Sequence, residues 1–165
     1  SCVPGSGPCR SDGILNAVRE AGSTDVIIHG LWGRGVEYDV DELTRLAEMA
    51  ESEGINVHFI DPIPIYPAGV PRLLFNLEGP EASAPFRTSR ASIESERVRY
   101  YTFRGTVEGT PHVYFYDSLS VLCPDLCEVS GFQGVYYHDD MHLSNLGASL
   151  YRPMGDLIVE RALDR

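Results

Sequence analysis

The sequence predicts an α/β fold with a mainly parallel sheet, and two observations carry that expectation. Two continuous apolar, β-branched runs, DVIIHGLW at 25–32 and INVHFIDPIPI at 55–65, read as buried strands, a pattern of parallel strands with both faces covered. Between them, VDELTRLAEMAESEG at 40–54 sets Leu43, Leu46, Ala47 and Ala50 at helical spacing. Strands that alternate with helices imply crossover connections and hence a parallel sheet.

The remaining elements follow in chain order. Residues 1–11 are rich in Gly, Pro, Ser and Cys and read as a loop. Asp12 is the expected N-cap of a helix over 13–21 that Gly22 ends. Gly33 and Gly35 break the first strand, and Gly54 closes the helix at 40–54. Pro62 and Pro64 stop the second strand. Residues 66–90, rich in Pro, Ala, Gly and Ser, form a long surface excursion with one helical turn, and long loops in compact domains are often functional. SIESERVRYYTF at 92–103 is a further helix, and HVYFYD at 112–117 a third strand. A cysteine loop and a short strand or turn precede a C-terminal helix from Ser144, which Pro153 kinks or splits. Three clear strands and one weak one are few for a doubly wound sheet.

A length of 165 residues suits one domain, and a 43% hydrophobic fraction supports a core. A net charge of −11, from 24 acidic and 13 basic residues, argues against nucleic acid or an anionic membrane surface as partner, since both need clustered Lys and Arg. No stretch approaches the roughly 20 apolar residues of a membrane span, and no signal peptide is visible. The chain opens on Ser1 without a Met, so a processed, excised or incomplete chain is expected. Cys2, Cys9, Cys123 and Cys127 form two close pairs in turn-rich sequence, which favours disulfides and an oxidising compartment. A zinc site would favour Cys-x2-Cys knuckles, which neither spacing provides. Of three possible pairings the local one, Cys2–Cys9 and Cys123–Cys127, is expected.

The chemistry concentrates in Asp139-Asp140-Met141-His142-Leu143-Ser144. Three residues let a carboxylate in a turn reach the imidazole, fix its tautomer and leave the second ring nitrogen free as a base. Ser144 is the natural cap of the next helix and lies too near His142 to serve as its nucleophile. Taken alone, Asp-x-x-His is a weak motif, and a solvated acidic turn with a surface histidine is the commoner outcome. A metal set of His138, Asp139, Asp140 and His142 is too tightly strung in one turn to converge on one ion. His29 and His58, within apolar runs, read as core residues, Tyr136 and Tyr137 as packing residues, and Trp32 as equally suited to packing or a site.

The stretch from LCPDLC through YYHDDMHLSNLGA resembles the last motif block of SGNH-type hydrolase domains. More narrowly it resembles the extracytoplasmic SGNH domain fused to acyltransferase-3 membrane O-acyltransferases. That family has a Cys-Pro…Cys loop followed by Tyr-x-Asp-x-x-His-Leu-Ser-x-x-Gly-Ala, matched by Tyr137, Asp139, His142, Leu143, Ser144, Gly147 and Ala148. DVIIHGLW, with Trp32, and INVHFIDPIP resemble two of its strands.

The resemblance implies a three-layer α/β/α, flavodoxin-like domain over 1–165, lacking its first strand. It implies His142 as general base and Asp139 as its orienter, with Gly30, Trp32 and Arg34 where oxyanion or substrate groups lie. SGNH enzymes commonly place an Asn there, and VIIHGLWGRG has none. It also implies a Gly-Asp-Ser nucleophile, which this sequence lacks; Ser6 and Ser118 are poor substitutes. The expected function is therefore acetyl transfer to a cell-surface polysaccharide by a parent enzyme, with this chain inactive alone. The alternatives are a secreted carbohydrate acetylesterase and a non-catalytic glycan- or partner-binding module. The expected partners are a carbohydrate acceptor and an acyl donor, with no nucleic acid, no cofactor and no metal. The domain is expected to be monomeric, periplasmic or at the cell surface, and tied to the membrane through an upstream segment.

Overall fold

The computed structural model describes residues 10–30, 39–76 and 88–163. The chain divides into two compact units. One takes in residues up to 60, then 97–116 and 160–165, and the other takes in 61–96 and 117–159.

The first unit holds the sheet. In chain order it comprises α1 (Ser11–Glu20), β1 (Asp25–Ile28), α2 (Val40–Glu53) and β2 (Asn56–Ile60). The second unit begins with α3 (Val70–Asn76) and α4 (Arg90–Glu96), and the first resumes with α5 (Val98–Val107) and β3 (Val113–Tyr116). The order is β1-β2-β3, all parallel, with Ile27 beside His58 and His58 beside Tyr114. This is the α/β arrangement the alternation predicts. Side chains alternate across a strand. Val57, Phe59 and Val113, with partly buried Val26, Ile28 and Phe115, pack with Leu15, Leu46, Ala47, Ala50, Tyr100 and Phe103 from the helices. Phe59 anchors this core, stacked on Phe115 at 5.1 Å and edge-to-face with Phe103 at 5.2 Å between centroids. The other face carries Ile27, His58, Tyr114 and Tyr116, with the Arg161 guanidinium 4.9 Å from the Tyr114 ring. Ile27 is 55% exposed, so β1 is not covered on both faces as its apolar run suggests.

Several boundaries differ from expectation. Strand β1 ends at Ile28, and His29 is exposed rather than in the core. Asp12 does not cap α1. Arg10 holds the cap position, and the Ser11 N–H and hydroxyl both donate to the Glu42 carboxylate at 2.8 Å, leaving Asp12 to pair with Arg45. Those two bonds hold the Glu42 carboxyl below its usual range. Helix α2 follows the sequence closely. Asp39 accepts from the Asp41 and Glu42 N–H groups, and Gly54, at φ 65°, takes the left-handed turn that ends it. The expected helix over 92–103 is two helices, broken at Arg97, where the chain passes from one unit to the other. His112 falls outside β3 in a left-handed conformation at φ 65°, with Nδ1 2.9 Å from Asn56 Oδ1.

The second unit, after α3 and α4, continues with α6 (Leu119–Leu122), β4 (Ser130–Gly131), β5 (Gly134–Val135), α7 (Asn145–Ser149) and α8 (Arg152–Leu163), the last turn of α8 belonging to the first unit. Cys123 and Cys127 form a disulfide, as expected. Cys2 and Cys9 lie outside the described residues. The short ring is pinned by the Cys127 N–H to the Thr88 carbonyl at 2.8 Å and by a bridge between Ser89 and Leu126. The C-terminal helix is split as expected, with Pro153 at the second position of α8, where its missing N–H costs no helical bond.

Candidate active site

Asp139 and His142 sit on a closed loop between β5 and α7, within the second unit. Tyr137 and Leu143 form an antiparallel bridge at its base. The His138 N–H bonds the His142 carbonyl at 2.7 Å, and the Ser144 N–H bonds the Tyr136 carbonyl at 2.9 Å. Inside the loop, Asp139 Oδ1 accepts from the Met141 N–H at 2.8 Å and the His142 N–H at 2.7 Å. This is an Asx turn, in which a short side chain replaces a backbone acceptor. The same carboxylate presents Oδ2 to His142 Nδ1 at 2.6 Å. The turn therefore fixes the backbone and aims the imidazole together.

The electrostatics follow from that geometry. The Met141 N–H, then the His142 ring and the His142 N–H, hold the Asp139 carboxyl well below the usual carboxylate range. An ionised Asp139 requires a proton on His142 Nδ1, which leaves Nε2 as the basic nitrogen of the neutral ring. The His142 side chain is 71% exposed, and Nε2 meets no hydrogen-bond partner among the described residues. The arrangement can take a proton from a hydroxyl brought to Nε2 and return it to a leaving group.

Residues distant in sequence hold this loop from behind. The Val70 N–H donates to the Asp139 carbonyl at 3.1 Å, and the Tyr66 N–H donates to the Asp140 carbonyl at 2.9 Å. Tyr66 is 1% exposed, and its ring meets that of Tyr137 edge-to-face at 5.1 Å. Burial pushes its phenol up to about 12. A surface excursion over 66–90, as expected from its composition, does not foresee this support. Its only trace is Tyr66 and Val70, two large residues in a Pro/Gly-rich stretch. On the helix side, the Ser144 hydroxyl donates to the Val135 carbonyl at 2.7 Å and accepts from the Gly147 N–H at 3.1 Å. Ser144 is thus the cap the sequence predicts. A Cβ at Gly147 would lie 2.0 Å from the Tyr136 carbonyl oxygen, so α7 reaches the loop this closely only with glycine there.

The other candidates separate. Gly30 follows β1 by two residues, half-buried, in the first unit. Trp32 and Arg34 lie outside the described residues, as does Ser6. Ser118 is fully buried, its hydroxyl shared between the Asp61 and Pro62 carbonyls at 2.8 and 2.9 Å, a structural bond that removes it as a nucleophile. His58 is a satisfied core residue, with Nδ1 2.9 Å from the Tyr116 hydroxyl and Nε2 3.1 Å from Asp25 Oδ1. Among the described residues no group of three or more His, Cys, Asp or Glu is placed to hold a metal, and no helix is long and apolar enough to cross a membrane.

Comparison with known proteins agrees with this architecture. No curated protein sequence matches the chain. A solved structure of similar fold is the periplasmic domain of a lipopolysaccharide acetyltransferase from Salmonella ser. Paratyphi A. The two superpose with a TM-score of 0.63 at 16% sequence identity, over 90% of this chain and 61% of that one. The chain thus spans about three fifths of the length of that neighbour. The profile described as "SGNH domain (fused to AT3 domains)" matches residues 5–155, a span that includes the Asp139–His142 loop. The chain belongs to the family of SGNH domains fused to acyltransferase-3 domains.

Proposed function

We propose that this chain is the extracytoplasmic SGNH domain of a membrane-anchored O-acyltransferase that acetylates a cell-surface polysaccharide, with His142 as general base and Asp139 as its orienter. The observation that carries the reading is the 2.6 Å contact between His142 Nδ1 and an Asp139 carboxylate already fixed by two backbone N–H groups. Family membership and the likeness to a periplasmic acetyltransferase domain support the compartment and the substrate class. The 165 residues contain no Gly-Asp-Ser, so the serine comes from elsewhere in the protein and these residues alone do not turn over.

In this scheme the serine hydroxyl gives its proton to His142 Nε2 as its oxygen attacks the acyl carbonyl. The departing donor group takes that proton, which leaves a serine ester. A sugar hydroxyl then loses its proton to Nε2 and attacks the ester carbonyl, and the serine oxygen recovers the proton as the acetylated sugar leaves. If water replaces the sugar, the same steps give an esterase. A second reading, a non-catalytic glycan-binding module, is favoured by the absent Gly-Asp-Ser. The deciding experiment is His142→Ala in the full-length natural protein. Loss of acetyl transfer, with polysaccharide binding retained, supports the triad; unchanged acetyl-ester turnover overturns it.

A further inference from the structure

A second feature lies on the same unit as the Asp139–His142 loop. The β4–β5 hairpin, the loop and the start of α7 enclose an open depression of about 620 Å³, lined by Gln133, His138, Leu143, Asn145 and Leu146 among others. That volume is in the range of small-molecule sites. His138 and Leu143 flank the loop on either side of Asp139 and His142, so the depression borders the base without including it. Among the described residues, no Asp, Glu, Lys or Arg lines it. Its polar side chains are amides, an imidazole and the capped Ser144 hydroxyl, set beside Leu143 and Leu146. At the hairpin tip, next to Gln133, Phe132 is fully exposed at 108% of the reference area. The phenyl ring is the most exposed of the large apolar side chains among the described residues, and it is free to meet a ligand from solvent.

We propose that this depression, together with Phe132 beside its lining residue Gln133 on the hairpin tip, is the subsite for a neutral sugar of the acceptor. Amide and imidazole groups match hydroxyls, which both donate and accept. With no Lys or Arg among the described lining residues, in a chain of net charge −11, an anionic ligand is disfavoured. The apolar wall and the phenyl ring match the C–H face of a pyranose ring, as aromatic groups do in sites with one apolar and one wet side. The identity of the ligand rests on the acyl-transfer reading; the location rests on the hairpin and the depression.

The test is equilibrium binding of neutral trisaccharides of rhamnose, mannose, galactose and glucose to the full-length natural protein. Binding of at least one, weakened about tenfold by Phe132→Ala and by Gln133→Ala, is the expected result. Val98→Ala, which removes another exposed apolar side chain, on α5 in the other unit, is the control and leaves affinity unchanged. Failure of every trisaccharide to bind at millimolar concentration overturns the subsite, and so does binding that Phe132→Ala and Gln133→Ala leave intact. Because the readout is affinity, it stands apart from the His142→Ala turnover test, and either proposal can fail alone.

Discussion

Asp139 uses its two carboxylate oxygens for different tasks: Oδ1 takes the N–H groups of Met141 and His142, and Oδ2 meets His142 Nδ1 at 2.6 Å. The two tasks can be separated by Asp139→Asn. The amide oxygen can still close the turn, so the loop keeps its shape. The amide NH₂ then faces Nδ1 and forces the proton onto Nε2, the wrong tautomer for a base. In serine-protease triads the equivalent change lowers kcat by about 10⁴-fold. Acetyl transfer by full-length Asp139→Asn protein is expected to fall by about three to four orders of magnitude, with thermal stability little changed. A loss of less than about tenfold would mean that Oδ2 does not set the tautomer.

The depressed Asp139 carboxyl also fixes how the loop responds to acid. A carboxyl whose folded pKa lies below its unfolded value stabilises the fold above the ordinary carboxylate range and loses that contribution as pH falls through the folded value. The melting-temperature difference between wild type and Asp139→Ala is therefore expected to stay flat from neutral pH down to about pH 5 and to shrink only below about pH 4. A difference that already fades between neutral pH and about pH 6 would tie it to another group.

Tyr136 touches two glycines, and they should behave differently. A Cβ at Gly147 would meet the Tyr136 carbonyl at 2.0 Å, and a Cβ at Gly131 would meet the Tyr136 hydroxyl at 2.1 Å. The carbonyl belongs to a backbone held by its bond from the Ser144 N–H, whereas the phenol can rotate away. Gly147→Ala is expected to cost about 1–3 kcal/mol or more in urea unfolding, and Gly131→Ala clearly less. Gly105→Ala in α5, where nothing lies within 4 Å of the added Cβ, should stabilise by about 0.4–1 kcal/mol. Equal costs at Gly147 and Gly131 would show that the Tyr136 backbone yields as readily as its side chain.

The pair Asp139–His142 was legible because its chemistry is local: three residues, one turn and one side chain able to replace a backbone acceptor. Ser144 was legible for the same reason. Tyr66 and Val70 were not, since they act through backbone N–H groups some 70 positions away and no side-chain pattern marks a donated amide. The parallel sheet was legible from the apolar runs of β1 and β2, but the exposure of Ile27 and His29 was not, because hydrophobicity alone does not say where a strand stops pairing or which face is covered. The break at Arg97 falls where the chain passes between units, a feature of long-range contacts rather than of local propensity. Asp12 failed as a cap because Glu42, 31 residues after Ser11, took that end of the helix.

The sheet face opposite the main core offers a last prediction. His58 is fully buried and bonded on both nitrogens, Nε2 to Asp25 Oδ1 at 3.1 Å and Nδ1 to the Tyr116 hydroxyl at 2.9 Å. Asp25 also takes the Asn56 amide at 2.8 Å, and Arg161 reaches the Tyr116 hydroxyl at 3.4 Å. With Nε2–H donated to the carboxylate, Nδ1 is the acceptor for the Tyr116 O–H. Tyr116→Phe removes that donor and leaves Nδ1 buried without it, at a cost of about 1–3 kcal/mol. His58→Leu removes both ring nitrogens but leaves Asp25 and Tyr116 facing an apolar side chain. Because both single changes break the same hydrogen bond, the double variant His58→Leu/Tyr116→Phe should be more stable than the sum of the two losses predicts, by about 0.5–3 kcal/mol. Strict additivity in a double-mutant cycle of urea unfolding would mean that the 2.9 Å contact contributes no coupling, and that His58 is held by Asp25 and packing alone.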